Sequence, residues 1–254
     1  MQFSNEDLEN LQKTRLAVFD KYQRLVGSYA VHKYKTVDGH RYAMQGLLRR
    51  LGILARCIHN VFEILPPDRV DLPTHDELSD ATINIQTFVV NLFGSADNLA
   101  RIWVLEKALT RADGSPVPKE WIGLRKSNEL VRRSFSPQFQ EYLNELYRWF
   151  DFLENFRHAL AHRIPLYIPP FAVTEGKKEA YQELETRMTA ALQRLDVAEH
   201  ERLSAEQKSL TAFLPVMTHS FEEEAKFVVF HGQVLSDFAT IEELAQKMLE
   251  ELNR

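Results

Sequence analysis

Four cationic or ionisable side chains, Arg157, His158, His162 and Arg163, crowd into about two helical turns of the stretch NFRHALAHRIP. The arginine is the unexpected one. Phe139, Leu143, Leu146, Phe150 and Leu153 recur at spacings of 4, 3, 4 and 3, and the next position on that stripe is Arg157, followed by Leu160. A guanidinium facing a helical interior must meet an anion or reach water, because an unpaired buried charge costs several kcal/mol. The histidines offer a different chemistry. His158 and His162 stand one turn apart with Glu154 one turn earlier, a spacing that can chelate a metal ion. The glutamate that follows the first histidine in an H-E-x-x-H metallohydrolase is here Ala159, and no third ligand is evident. Nucleophilic and nucleotide motifs are missing: there is no G-x-S-x-G, no P-loop and no dinucleotide glycine pattern.

A plainer account runs beside these. Basic side chains complement the negative end of a helix dipole, and Pro165 marks that end. This covers His162 and Arg163 well. It covers Arg157 poorly, since that residue lies about two turns from the proline, although Glu154 could pair with it.

The elements that hold this stretch read as long amphipathic helices. Ser4 and Asp7 cap a first helix to about Tyr29 through Leu8, Leu11, Val18, Tyr22 and Leu25. A second runs from Met44 through Leu47, Leu51, Leu54, Ile58 and Val61 to Leu65, stopped by Pro66 and Pro67. Thr74 and Glu77 open a third, to about Leu109, whose apolar face is interrupted by Asp97 and Asn98. A mid-helix acid there would anchor Arg157 inside a bundle. After a polar loop and a short basic helix around residues 121–133, Ser136 and Pro137 start the fourth long helix, which carries Arg157. Short connections between such helices predict an all-α antiparallel bundle over residues 1–172.

Residues 173–211 read as a charged helical insertion with a thin stripe of Leu184, Met188, Leu192 and Leu195, entered through the extended PLYIPPF. Over 212–254, FLPVMTHS and KFVVFHGQ flank EEEA and predict a small β-hairpin near the C-terminus. Thr240 and Glu243 are then expected to cap a last helix through Ile241, Leu244, Met248 and Leu252.

Composition narrows the function classes. At 44% hydrophobic and 26% charged residues the chain is globular rather than disordered. A net charge of -5 argues against coating nucleic acid through the overall field, while leaving room for a local basic patch. No apolar run approaches the ~18 residues that span a bilayer. The first residues lack the basic and apolar regions of a secretory signal. The lone Cys57 sits in an apolar stretch, so it reads as a small buried hydrophobe in a reducing compartment, and a cytoplasmic location is expected.

R-H-A-L-A-H, from Arg157 to His162, resembles the R-x4-H signature of the HEPN superfamily, including the polar residue after the arginine and the place late in a bundle helix. The longer NFRHALAHRIPLYIPP looks like one bacterial HEPN subfamily, in which the motif runs into a proline-rich extended segment, and the likeness extends to the C-terminal FHGQVLSDF. What the resemblance implies is cleavage of RNA without metal or cofactor, by a homodimer whose motif helices meet, leaving 2',3'-cyclic phosphate ends. Toxin or antiphage effectors of this kind imply an antitoxin or regulatory partner. His162 would then move protons, since an imidazole titrates near neutrality. Arg157 would hold the scissile phosphate in its fork of donors, and His158 would support them. Positions 157 and 162 are about 140° apart on an ideal helix, which favours a site assembled from two copies. Arg125, Lys126, Arg132 and Arg133 are candidate phosphate contacts, with a solvated helix face as the competing reading. A non-catalytic HEPN module that binds nucleotides or proteins, and an unrelated helical protein with a basic helix end, are the alternatives.

Overall fold

The computed structural model describes residues 3–219 and 227–254, and these are mainly α-helical with two small two-stranded sheets. The local capping chemistry appears as the spacing predicts. Ser4 Oγ accepts from the Asp7 N–H and the Asp7 carboxylate accepts from the Ser4 N–H, opening α1 (Asn5–Val31). Thr74 and Glu77 repeat the exchange at the start of α4 (His75–Glu106). Arg69 adds a bidentate grip on Glu77 at 2.7 and 2.9 Å and donates to the Ile64 carbonyl at the end of α3 (Leu48–Ile64). The turn between α3 and α4 is therefore tied at both ends. Those arginine bonds, with Thr74, hold the Glu77 carboxyl at about 2.

Helices α1, α3, α4 and α10 (Phe230–Leu252) make the central bundle around Leu25, Leu51, Ile58, Phe88 and Phe238. Tyr29 Oη donates to the Ala245 carbonyl across it at 2.8 Å. The motif helix α7 (Tyr147–His162) packs on α4. No described helix is long and apolar enough to cross a membrane.

Several elements differ from the sequence reading. The second helix is preceded by a short α2 (Val37–Arg41) and a π-helical turn over Tyr42–Leu47. Buried Glu106 organises this corner. Its carboxylate accepts from the Lys35 and Thr36 N–H groups and from Thr36 Oγ1. Gly39 lets α2 close on it: a Cβ there would overlap Glu106 Oε1 and lie 2.7 Å from Thr36 Oγ1. Gly39→Ala is expected to destabilise the fold by about 1–3 kcal/mol, as overpacking does. A urea midpoint equal to wild type would rule that out.

The fourth helix is two. α6 (Pro137–Glu145) ends at Leu146, whose ψ of 3° breaks the run before α7 begins. The interior stripe of α7 is Phe150, Leu153, Phe156 and Ala159, so Phe156, not Arg157, faces inward. Three residues from Leu153 is as good a helical step as four, and an aromatic ring gains far more from that place than a guanidinium. The basic helix around 121–133 shrinks to a 3-10 turn at Lys119–Trp121 and a five-residue α5 (Glu129–Arg133).

The insertion is a helical hairpin, α8 (Lys178–Gln193) and α9 (Val197–Lys208), with its own small core of Leu184, Ala191 and Leu203 backed by Met188. Leu192 and Leu195 lie outside that core, exposed, and Leu195 turns the corner with φ of 57°. β1 (Ala172–Val173) and β2 (Thr211–Ala212) pair antiparallel at its base. The C-terminal hairpin pairs β3 (Val216–Met217) with β4 (Val228–Val229), Val216 opposite Val229. Its EEEA connection lies outside the described residues. Thr240 is not a cap: α10 already starts at Phe230, because Phe230, Val234, Phe238 and Ile241 extend the buried face, and Thr240 Oγ1 donates to the Ser236 carbonyl inside the helix.

Candidate functional site

Packing α7 on α4 brings Arg157 over an aromatic ring rather than into the core. Its Cζ stands 5.2 Å from the centroid of Phe93, and Arg125 approaches the same ring at 6.0 Å. Arg157 is half-buried and donates no hydrogen bond to any described residue. Its fork of donors is therefore uncommitted.

One turn beyond Phe93 on α4 lies Asp97. It keeps a side open to solvent, yet the surrounding protein strips enough water from its carboxyl to raise the pKa. The charges of Arg125, Arg157, Arg50 and Arg101 pull it back down. A carboxyl hemmed by protein and reached by the charges of four arginines makes this stretch of α4 locally basic. Asp97 forms no ion pair or hydrogen bond among the described residues, so its link to Arg157 acts through space. Asn98 does not serve Arg157. It accepts from Arg50 Nε at 3.2 Å, while Asn91 accepts from Arg50 Nη1 at 3.0 Å.

The outward flank of α7 carries Glu154, His158 and His162 in one row. Arg125 forms an ion pair with Glu154 Oε1, and that bond chiefly lowers the Glu154 pKa. His158 Nε2 lies 3.4 Å from the same oxygen. The His158 and His162 rings meet edge to face at 6.1 Å, both exposed. With its carboxylate bound to arginine, Glu154 is poorly placed as a metal ligand, and no three His, Cys, Asp or Glu side chains group as a metal site among the described residues. Arg163 folds back about two turns along α7 to donate to the Asn155 carbonyl at 3.0 Å and to its side-chain oxygen.

The other basic candidates divide. Arg132 is buried, donating to the Leu124 carbonyl at 2.8 Å and to Asn144 Oδ1 at 2.6 Å. It supports the loop and is not a surface phosphate contact. Arg133 is exposed and paired with Glu129. Lys126 is exposed, with Nζ 4.3 Å from the Tyr147 ring.

The sequence reading missed Phe93, Arg50 and Arg101 as parts of this region. Gly94 carried a signal: a glycine inside a long helix often marks a close approach. A Cβ there would lie 2.6 Å from Arg50 Cζ, so the guanidinium rests on the bare α4 backbone. It also missed His219, whose ring packs edge-on at 4.8 Å against Phe156, beside Arg157 in the chain.

A scan against protein-family models returns no match, and neither a curated protein nor a solved structure matches the chain.

Proposed function

We propose that this protein is a HEPN-type, metal-independent endoribonuclease that leaves 2',3'-cyclic phosphate ends and works as a homodimer through α7. The observation that carries the reading is Arg157, half-buried on Phe93 with its donors free, next to an exposed pair of imidazoles at the end of the same helix. In the reaction the RNA 2'-hydroxyl attacks the adjacent phosphorus and the bond to the 5'-oxygen breaks. One imidazole accepts the hydroxyl proton and another supplies a proton to the leaving oxygen. Arg157 bridges the phosphate oxygens as their charge grows. His158, tied to Glu154 and through it to Arg125, positions the row. Two copies would bring two such rows together, which suits a site whose Arg157 and His162 diverge around one helix.

The test is cleavage of a mixed RNA pool by wild type, Arg157→Ala and His162→Ala, with EDTA present throughout. Cutting by wild type alone, with cyclic phosphate ends, is the expected result. Equal cutting by all three removes Arg157 and His162 from the catalysis, and cutting by none while all remain folded removes the support for a nuclease. One observation favours a non-catalytic HEPN module that binds nucleotides or proteins instead: His158 and His162 are open to solvent in a single copy rather than enclosed. Retained binding without cutting selects that reading.

A further inference from the structure

A second cationic feature lies further along α4. The π-helical turn Tyr42–Leu47 and the start of α3 face α4 across a pocket of about 520 Å³, inside the ~300–1,000 Å³ range of small-ligand sites. Arg41, Arg49 and Arg50 line it together with Tyr42 and Gln45, and no carboxylate of the described residues does. In a chain of net charge -5, three arginines lining one pocket make it locally cationic. Arg41 is partly answered by Asp38 at 2.9 Å. Arg50 is fixed by Asn91, Asn98 and the Gly94 backbone, a pre-set guanidinium whose Nη2 donates to no described residue. Arg49 is exposed and donates to none. Beside the pocket, Arg101 places Cζ 5.4 Å from the Tyr42 centroid, so that an aromatic ring and a guanidinium adjoin. π-helical turns are rare and tend to occur at functional sites, where the widened turn re-aims side chains.

On α4, Asp97 stands next to Asn98, which lines this pocket, and one turn from Phe93, which carries Arg157. Its carboxyl senses the charges of Arg125, Arg157, Arg50 and Arg101. Phe93 and Arg101 are eight residues apart on α4, about 12 Å along its axis. A single strand whose phosphates advance ~3.4 Å per stacked nucleotide covers that distance in three or four steps.

The geometry points to a subsite for single-stranded RNA: the pocket takes one nucleotide of a chain that continues to Arg157. Its phosphate lies among Arg49, Arg50 and Arg101, and its base lies against Tyr42. Every base has a π-face, so such a platform holds a strand without selecting its sequence. The inference rests on the RNA reading above, though not on catalysis.

The test measures binding alone, using a labelled short oligouridine with 2'-O-methyl groups, which removes the nucleophile and so any cutting. Combining Arg49→Ala with Arg101→Ala is expected to weaken binding at least tenfold and to reduce the slope of log affinity against log salt by about 0.7, the worth of the one phosphate held there. Tyr42→Ala is expected to weaken it about tenfold with the slope unchanged. Arg49→Glu, at an exposed position, serves if the double variant melts early, and is expected to weaken binding at least as much as Arg49→Ala. Wild-type affinity and slope in the folded double variant or in Arg49→Glu overturns the subsite. Displacement by uridine monophosphate at the same nucleotide concentration overturns the chain, since a free nucleotide would then be the ligand. RNA bound through the pocket but never cut leaves the subsite standing and removes the nuclease; RNA cut equally well with the pocket variants does the reverse.

Discussion

Arg157→Ala is expected to lower the rate of RNA cleavage about 10²–10³-fold, the loss seen when one preorganised donor to a developing phosphate charge is removed. His162→Ala is expected to lose ~10²–10⁴-fold, the usual worth of a positioned proton carrier. Stability should hardly move. Arg157 donates no hydrogen bond to any described residue, and its contact with Phe93 is worth about 0.5–1 kcal/mol. Arg157→Lys separates charge from geometry, because lysine keeps the charge and loses the planar fork. It should fall between wild type and alanine. Rates for Arg157→Ala and Arg157→Lys both equal to wild type would sink the phosphate-gripping role outright. A wild-type rate for Arg163→Ala is the matching control, since Arg163 is spent on Asn155.

The second large effect concerns pH, and it comes from α10. His231 is buried, its Nε2 bonded to the Leu65 carbonyl at 2.6 Å, its ring against Phe62 and Phe230, and Nδ1 without a partner among the described residues. Burial lowers its pKa to about 4, against smaller opposing pulls from the Leu65 bond and Asp68. The folded state therefore binds fewer protons than the unfolded chain between about 4 and the ordinary ~6.5. The stability His231 contributes is complete above ~6.5 and is lost as pH falls through that window, about 3 kcal/mol in all.

Asp237, on the same helix, does the opposite. It is buried, accepts from Trp149 Nε1 and Gln233 Nε2 at 2.9 Å each, and is pushed up to about 6 by burial. Its contribution is present below ~3.8 and is lost, again by about 3 kcal/mol, as pH rises through 6. The two slopes oppose each other between about 4 and 6. Relative to wild type, His231→Phe is expected to lose stability with rising pH across that range, and Asp237→Asn with falling pH. Urea unfolding at several pH values reads both. Parallel profiles for the two variants and wild type would refute the pairing.

What was legible in the chain was chiefly local. The Ser4–Asp7 and Thr74–Glu77 exchanges involve residues three apart, so sequence alone specifies them. The apolar stripes of α1, α3 and α4 gave the central bundle, and the β-branched runs gave the C-terminal hairpin. The tie at the Thr36 corner was not legible, because Glu106 lies some seventy residues from the Thr36 N–H it accepts from. Nor was the break at Leu146, where the apolar spacing continues undisturbed. That phase decided where Arg157 points: the anomaly was visible, but its resolution depended on Phe156 taking the interior place. Asn98 was noticed only as a polar interruption, since nothing local ties it to Arg50.

The helical hairpin of α8 and α9 has a consequence for motion. Three buried side chains and a two-residue strand pair hold it, against the dozens that close the main bundle. Its amides should exchange with solvent deuterium through a local opening, while those of α3 and α4 wait for the whole chain to unfold. The molecule then carries a loosely held lever on a rigid base, and the two would report different free energies in the same exchange experiment.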